Sequence, residues 1–371
     1  MTLRLPRIVR FRRSPHLVTF WRGRDLVVHN IATGAQVLAG PIVCNLLDDL
    51  HKWRSIANVT AGRSRKEAVP LAAIVRELAR RSFLERSDQA RSAKSRAMDD
   101  WGDWNPAAGF FHFSTKDIPY ETNVATAEKG QRTYARRHPM PSPVKSYPRA
   151  PQVALPAGRR EGELPRLLLE RRTWRHFSGA PVELSALATL LELTWGVQRW
   201  AHARGQGRVA FKTSPSGGAR HPIEAYVLAS RVRGLPRGLY HYAADRHRLE
   251  RLSRRATSRQ ITRYCADQAW YGSAAAIVIM TAVFSRERWR YRSPRAYRAI
   301  LLDAGHLCQT FCLVATWLKL APFCTMALAD SRIECDLKID GVTESVVYVA
   351  GVGSRPKAGW SLRLQRAALR Q

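Results

Sequence analysis

Residues 274–284, AAAIVIMTAVF, form an almost unbroken apolar run in which Thr281 is the single polar residue. A run of this length and composition is typical of a β-strand that is buried on both faces. Such a strand lies in the middle of a sheet that is covered on both sides. The run therefore predicts a layered domain in which helices flank a central sheet.

The residues around this run alternate between helical and strand patterns from residue 164 onward. LPRLLLERRTWRHF is predicted to be an amphipathic helix that leads into an arginine cluster, and LSALATLLELTWGV is a predicted helix that Gly196 ends. IEAYVLA and SVVYVAGVG are predicted strands, and GLYHYAADRHRLERL is a predicted hairpin that turns near Ala244-Asp245. AYRAILLDAGHLCQTFCLVATWLKL is a predicted long helix, one face of which carries Ile300, Ala304, Leu307, Cys308, Phe311, Cys312 and Ala315.

The N-terminal region has a different pattern. Residues 1–24 contain seven arginines and no acidic residue. A strand, a turn at Ala32-Thr33-Gly34 and a second strand follow, and then two amphipathic helical stretches. This pattern predicts a small winged-helix-like or peptide-docking module, although the basic arm before it could equally be a solvated tail.

The chain therefore divides into four predicted regions. The N-terminal module spans 1–95, and a linker or strap rich in proline and arginine spans 96–160. The α+β domain spans 161–358, and a basic tail spans 359–371.

The net charge of +32 favours an anionic partner. Only ten of the 61 basic residues are lysine, however, and an arginine-dominated composition also arises without any partner. No nucleic-acid-binding signature with interleaved aromatic residues is present, so we do not expect nucleic acid as the partner. No apolar run of about 20 residues and no signal peptide is evident, which predicts a cytoplasmic protein without a membrane span.

The six cysteines lack the spacing of a metal site. They show no CxxC pair and no paired Cys/His ligands. Cys308 and Cys312 lie four residues apart on an apolar helical pattern, where buried free thiols are common. We therefore predict neither a bound metal nor a disulfide framework.

Two segments carry the residue types of a ligand site. Arg171, Arg172, Thr173 and Arg175 follow an amphipathic helix and could cradle a phosphate, since arginine presents paired donors. A solvated arginine-rich turn is the alternative. In TSPSGGARHPIEAYV, residues 213–227, the unhindered backbone of Gly217 and Gly218 could lie against a flat ligand. A loop that simply enters the next strand is the alternative there.

These segments together resemble a known family. RRTWRHF resembles the start of the nitroreductase-like flavoproteins. TSPSGGARHPIEAYV with GLYHY, and YRSPRAYRAILLDAGHLCQTFCLVATWLKL, resemble the SagB/ThcOx-type dehydrogenases of that superfamily. The resemblance covers about residues 164–356, and the first 90 residues resemble the peptide-clamp modules of these proteins only loosely.

The resemblance implies a fold, a cofactor and an assembly. The fold is a nitroreductase-like α+β domain with a central mixed sheet, and two copies intertwine as a homodimer that binds FMN across the subunit interface. The resemblance assigns FMN contacts to Arg171, Arg172, Thr173, Arg175, Pro215, Ser216, Gly217, Gly218 and, with weaker support, Arg355. The long helix around Gly305 would pack at the interface.

One position departs from the family pattern. Members that oxidise azolines carry a Lys-Tyr pair where this chain has Arg290-Tyr291. Arginine does not readily give up its proton and is a poor general base. Either Tyr291 acts as the acid/base beside the positive charge of Arg290, or the substrate differs from a simple thiazoline.

The resemblance implies that the substrate is a ribosomally made precursor peptide of the microcin, cyanobactin or trifolitoxin type. An azoline ring would be oxidised to an azole, with a cyclodehydratase or other maturation proteins as partners. A nitroreductase-like enzyme that reduces small molecules with NAD(P)H is one alternative. A degenerate, peptide-binding scaffold subunit is the other.

Overall fold

The structure is a computed structural model that describes residues 8–145, 148–205 and 207–368. The chain forms two compact units. The first contains residues up to Lys116 together with Tyr291–Tyr297, and the second contains Asp117–Arg290 and the residues from Arg298 onward.

The first unit contains two small antiparallel sheets, with strand orders β5-β1-β6 and β2-β3-β4. The strands are β1 (Arg10–Arg13), β2 (Leu17–Arg22), β3 (Asp25–Asn30), β4 (Gln36–Leu38), β5 (Arg54–Ser55) and β6 (Leu84–Arg86). The helices are α1 (Pro41–Asp49), α2 (Ile56–Thr60), α3 (Arg65–Arg80), α4 (Ala93–Asp99) and α5 (Ala107–Ser114).

The core of this unit forms where the apolar faces of α1 and α3 meet the strands. Leu50, Val75 and Phe83 are fully buried there. Ser64 and Glu67 form a capping box at the start of α3, which fixes where that helix begins. The predicted strand-turn-strand and the two helices that follow it are confirmed, while the winged-helix-like assignment stays a prediction.

The second unit is built on a six-stranded sheet of order β13-β12-β10-β14-β16-β15. Strand β14, the apolar run of the sequence, lies inside this sheet and is buried along nearly its whole length, as predicted. The strands of the unit are β7 (Val182–Glu183), β8 (Arg199–Ala203), β9 (Gly207–Phe211), β10 (Ile223–Ala229), β11 (Val232–Arg233), β12 (Gly238–Ala243), β13 (Arg248–Ser253), β14 (Ala276–Val283), β15 (Leu320–Thr325) and β16 (Glu344–Ser354).

The helices of the second unit surround this sheet. They are α6 (Val124–Arg137), α7 (Glu163–Glu170), α8 (Leu184–Trp195), α9 (Ser258–Tyr264), α10 (Phe284–Arg290), α11 (Ala296–Trp317, whose first two residues belong to the first unit), α12 (Asp330–Leu337) and α13 (Leu362–Ala368). The predicted α+β class is confirmed. The prediction of a mixed central sheet is wrong. In each described pairing of this sheet, the two strands are antiparallel.

The long helix α11 has the face that the sequence predicts, since all seven residues assigned to that face are buried. By length and composition α11 could also cross a membrane, and half of its most apolar stretch is buried in the protein. The core helix of a globular domain passes the same test, so this property alone carries little weight.

Two predicted boundaries differ from the structure. The first unit extends to Lys116, past the predicted boundary at 95, because α5 belongs to it. The predicted C-terminal tail contains α13, in which Gln365 and Ala368 are buried. Within the predicted linker, helices α5 and α6 interrupt the extended stretches, the longest of which follows α6.

Candidate functional site

The loop at residues 213–221 is fixed to α11 by its polar groups. The hydroxyl groups of Ser214 and Thr310 are hydrogen-bonded at 2.7 Å. The backbone N–H of Gly217 donates to Oδ1 of Asp303 at 3.4 Å, and the Ser216 hydroxyl also bonds the Asp303 carboxyl. The middle of α11 therefore determines where this glycine loop lies.

The chain itself supplies a reason for each of the two glycines. A Cβ at Gly217 would lie 2.8 Å from Oε1 of Glu287, which is closer than real Cβ contacts come. Gly218 has φ of 56°, a left-handed conformation that glycine adopts without a steric penalty. The predicted contacts of Pro215, Ser216 and these glycines with a flavin stay predictions.

Two carboxyl groups are buried beneath this loop. Glu287, on α10, is 0% exposed and Asp303 is 3% exposed. Neither carboxyl oxygen of Glu287 has a hydrogen-bond partner among the described residues. Burial, followed by the nearby charge of Asp303, raises the pKa of Glu287 to about 7. Burial likewise raises the pKa of Asp303.

Neither residue of this acidic pair is among those predicted from the sequence. Glu287 stands among arginines in FSRERWR and Asp303 stands inside an apolar helix. An acidic residue on the apolar face of a helix is a signal that could have found Asp303.

The arginine segment, residues 171–175, lies along the edge of the six-stranded sheet that β15 forms. Helix α7 ends at Glu170, and the chain then runs extended beside β15. The N–H of Trp174 donates to the carbonyl of Pro322 at 2.9 Å, and that of Ser178 donates to the carbonyl of Ser354 at 3.0 Å. Trp174 and Phe177 are buried and fix the segment on the core, and Arg175 between them is half-buried.

The guanidinium groups of this segment differ in their partners. Those of Arg171 and Arg175 are half-buried and donate no hydrogen bond within the described part of the chain, although Arg175 stacks over Trp270 at 5.8 Å. Arg172 donates to the carbonyl groups of Leu169 and Arg171, each at 2.7 Å. The carbonyl of Thr173 accepts a hydrogen bond from the Trp360 ring at 3.0 Å.

Arg355 lies close to this segment but already has protein acceptors. Its guanidinium donates to the carbonyl of Leu320 at 2.8 Å and to that of Thr316 at 3.1 Å, and it lies 5.5 Å from the Trp174 ring. Cations stabilise carbonyls at the C-terminal end of a helix, as here at the end of α11. Its proposed contact with a flavin phosphate stays a prediction.

The glycine loop bonds the middle of α11, and the arginine segment lies near the C-terminal end of that helix. Asp303 and Thr310 hold the loop, and the carbonyl of Thr316 contacts Arg355 beside the arginine segment. At about 1.5 Å per residue, Thr316 lies about 20 Å along the helix from Asp303 and about 9 Å from Thr310. The predicted convergence of the two segments on one flavin stays a prediction.

The chain passes from the second unit to the first between Arg290 and Tyr291. Arg290 is the exposed last residue of α10, and Tyr291 groups with the first unit. The carbonyl of Tyr291 accepts a hydrogen bond from the Trp104 ring at 3.0 Å. The proposed acid/base role of this pair stays a prediction.

Three cysteines come together in the second unit. The sulfur atoms of Cys308, Cys312 and Cys324 all lie within 4.8 Å of one another, close enough to hold a metal ion. The spacing of the cysteines along the chain does not reveal this cluster, because Cys324 comes from β15 rather than from the helix. Arg171 is near enough to lower the pKa of Cys324, although hydrogen bonds from Cys308 and Cys312 are the larger cause.

Comparison with known proteins identifies the family. The nitroreductase family model matches residues 168–354, about half of the chain. MJ1384 of Methanocaldococcus jannaschii, whose name places it among the nitroreductases, is 31% identical over 179 residues, which cover 48% of this chain and 86% of that protein. The chain belongs to the nitroreductase family, an oxidoreductase family whose members typically bind a flavin.

Two further proteins are similar to this chain. The trifolitoxin-processing protein TfxB of Rhizobium leguminosarum bv. trifolii is 35% identical over 143 residues, which cover 37% of this chain but only 38% of TfxB. A chain of the E. coli microcin synthetase McbBCD complex, solved with truncated pro-MccB17 bound, aligns with 82% of this chain and 98% of its own length. That alignment has 19% identity and a TM-score of 0.42. The predicted membership of the nitroreductase-like flavoproteins is confirmed, and the similarity to TfxB supports the resemblance to the peptide-maturation dehydrogenases of that superfamily.

Proposed function

We propose that this protein is an FMN-dependent dehydrogenase that oxidises azoline rings to azoles in a ribosomally made precursor peptide. The observation that carries the proposal is the similarity of this nitroreductase-family chain to the trifolitoxin-processing protein TfxB. Because that similarity covers under two fifths of TfxB, the peptide substrate is part of the proposal.

The residues of the arginine segment fit the phosphate of FMN. Arg171 and Arg175 keep guanidinium donors that no acceptor in the described chain uses, and paired donors of this kind suit phosphate oxygens. Ser216, Gly217 and Gly218 would hold the ring system from the other side. When bound, FMN supplies the two-electron acceptor that the oxidation requires.

A site built across two copies of the chain reconciles these contacts with the separation along α11. Leu302 and Gly305 lie on the exposed face of that helix, and a Cβ at Gly305 would meet no atom within 4 Å. A second copy could use this face as its contact surface, so that residues of both copies hold each flavin. We therefore propose a homodimer.

The remaining roles belong to the chain's own side chains. Tyr291 would exchange the substrate proton at its phenol oxygen, while the permanent charge of Arg290 orients the substrate. Exclusion of water from the site would prevent side reactions. All six cysteines are unpaired, which suits a cytoplasmic protein.

The test is to purify the protein and incubate it with an azoline-containing precursor peptide. We expect a yellow protein that releases FMN on denaturation, and a product lighter by two hydrogen atoms per oxidised ring. Colourless protein that takes up no added FMN would overturn the proposal.

A pair of variants tests the phosphate contacts. Arg171→Gln with Arg175→Gln should weaken FMN binding by about tenfold or more, because two charge-assisted contacts are lost. Arg136→Gln with Arg137→Gln, which removes two exposed arginines on α6, is the matched control and should leave FMN affinity unchanged. Fluorescence titration of FMN measures both.

A second candidate function has its own support. The similarity to MJ1384 spans 86% of that protein, which favours a nitroreductase acting on small molecules with NAD(P)H. Rapid bleaching of the flavin by NAD(P)H in the absence of any peptide would favour this function over the first.

A further inference from the structure

A cavity of about 760 Å³ opens on the second unit, away from the residues assigned to the flavin. Its walls come from the start of β12, the end of β13, helices α9 and α12, and the loop before α9. Volumes of this size are typical of sites that bind ligands. The arginines that line it are Arg237, Arg254, Arg255, Arg259, Arg263 and Arg332.

The charge of this cavity is not compensated within the protein. None of the six arginines forms an ion pair with another residue in the described ranges, and all six are exposed. Asp336 is the one acidic residue of the lining, so six positive charges face one negative charge. Like charges this close repel one another, and an anionic ligand would remove that cost.

The single carboxylate of the lining is already occupied. Oδ2 of Asp336 accepts a hydrogen bond from the Tyr264 hydroxyl at 2.7 Å, and the amide of Gln260 donates to that hydroxyl at 2.8 Å. These bonds hold Asp336 against the floor of the cavity. The guanidinium groups therefore remain available to an incoming ligand.

The lining favours carboxylates over nucleic acid. Tyr264 is its only aromatic residue, and that ring is fully buried. No ring face is available for a base to stack on, which is how single-stranded nucleic acids are usually held. Guanidinium groups pair with carboxylates through two parallel hydrogen bonds, so a chain of acidic side chains suits the arginines.

The floor of the cavity belongs to the same core cluster as the arginine segment of the candidate site. Leu239, Ala256 and Tyr264 pack in one cluster with Trp174 and Phe177. A ligand bound in the cavity would therefore contact the same core cluster on which the segment with Arg171 and Arg175 packs.

From this geometry we infer that the arginine-lined cavity docks an acidic segment of the precursor peptide, outside the ring that is oxidised. The inference rests on the proposed function for the identity of the peptide. The segment would contain several Asp or Glu residues in extended conformation, and its docking would raise the local concentration of the reacting ring.

The test compares two charge-reversal variants of the purified protein. Arg255→Glu with Arg259→Glu alters the cavity. Arg136→Glu with Arg137→Glu, on the exposed surface of α6, changes the net charge equally and is the matched control. The probes are a fluorescein-labelled hexaglutamate peptide, a hexaglutamine peptide and a labelled oligothymidine, each followed by fluorescence anisotropy.

We expect the cavity variant to weaken hexaglutamate binding by about tenfold or more, and the control variant to change it less than about twofold. Hexaglutamine should not bind. Equal weakening by the two variants would show a general charge effect and overturn the inference. Oligothymidine binding that is tighter than hexaglutamate binding and equally dependent on Arg255 and Arg259 would also overturn it.

Kinetics separate this inference from the proposed function. The cavity variant should raise KM for a precursor peptide with an acidic segment, and leave kcat and the oxidation of a short azoline peptide without that segment unchanged. If the wild-type protein oxidises neither peptide, the proposed function fails, while the hexaglutamate experiment still decides whether the cavity binds acidic peptides.

Discussion

Glu287 shows how a single side chain couples the candidate site to pH. Its carboxyl is fully buried, and burial raises its pKa to about 7 from an ordinary value of about 4.5. The folded state therefore favours the protonated form. This contribution to stability is complete below about pH 4.5 and is lost as the pH rises through about 7, because ionising a buried carboxyl is costly.

The variant Glu287→Gln removes this titration while keeping the shape of the side chain. Between about pH 5 and about pH 8, the wild-type free energy of unfolding should fall by up to about 3 kcal/mol relative to the variant. Chemical denaturation at several pH values measures this difference. Glu161→Gln, on an exposed segment, should give a curve parallel to the wild type, and a parallel curve for Glu287→Gln would contradict the assignment.

Gly217 is tested by a double-mutant cycle. Gly217→Ala should destabilise the protein by about 1–3 kcal/mol, because the added Cβ would lie 2.8 Å from Oε1 of Glu287. In a Glu287→Ala background the same change should cost much less, since the obstructing atom is gone. Thermal unfolding of the four proteins measures the coupling, and equal costs in both backgrounds would show that Glu287 is not what requires glycine here.

At the scale of the element, α11 has two different faces. One face packs in the core. On the other face, 62% of the surface of Leu302 is exposed to solvent. If two copies pack on the second face, Leu302→Arg should convert the dimer into a monomer and lower FMN retention without unfolding the chain. Analytical ultracentrifugation measures the mass. Leu38→Arg on β4, where the leucine is 60% exposed, is the control and should remain dimeric.

At the scale of the whole molecule, one long stretch is open to attack by proteases. Residues 139–162 contain no helix or strand in their described part, and the described residues there are exposed. We expect limited trypsin digestion to cut first at Arg149, Arg159 or Arg160. Mass spectrometry of the early fragments identifies the sites. First cleavage within β10–β14 would instead show that the central sheet opens more readily than this stretch.

The sequence by itself determined the local elements. Three elements were predictable: the apolar run at 274–284, the buried face of α11 and the hairpin of β12 and β13. Buried apolar residues recur every 2 residues in a strand and every 3.6 residues in a helix, so these elements leave a local pattern in the sequence. The family also followed from the sequence, since RRTWRHF and PSGGARHP are local motifs.

The tertiary structure decided which distant residues meet. It paired Glu287 with Asp303 beneath Gly217, brought Cys324 to Cys308 and Cys312, and gathered arginines from several elements around one cavity. No local period encodes these contacts, because each depends on how strands and helices far apart in the chain are placed by the sheet. The sequence determines which side chains are present, whereas the folded structure determines which of them lie next to one another.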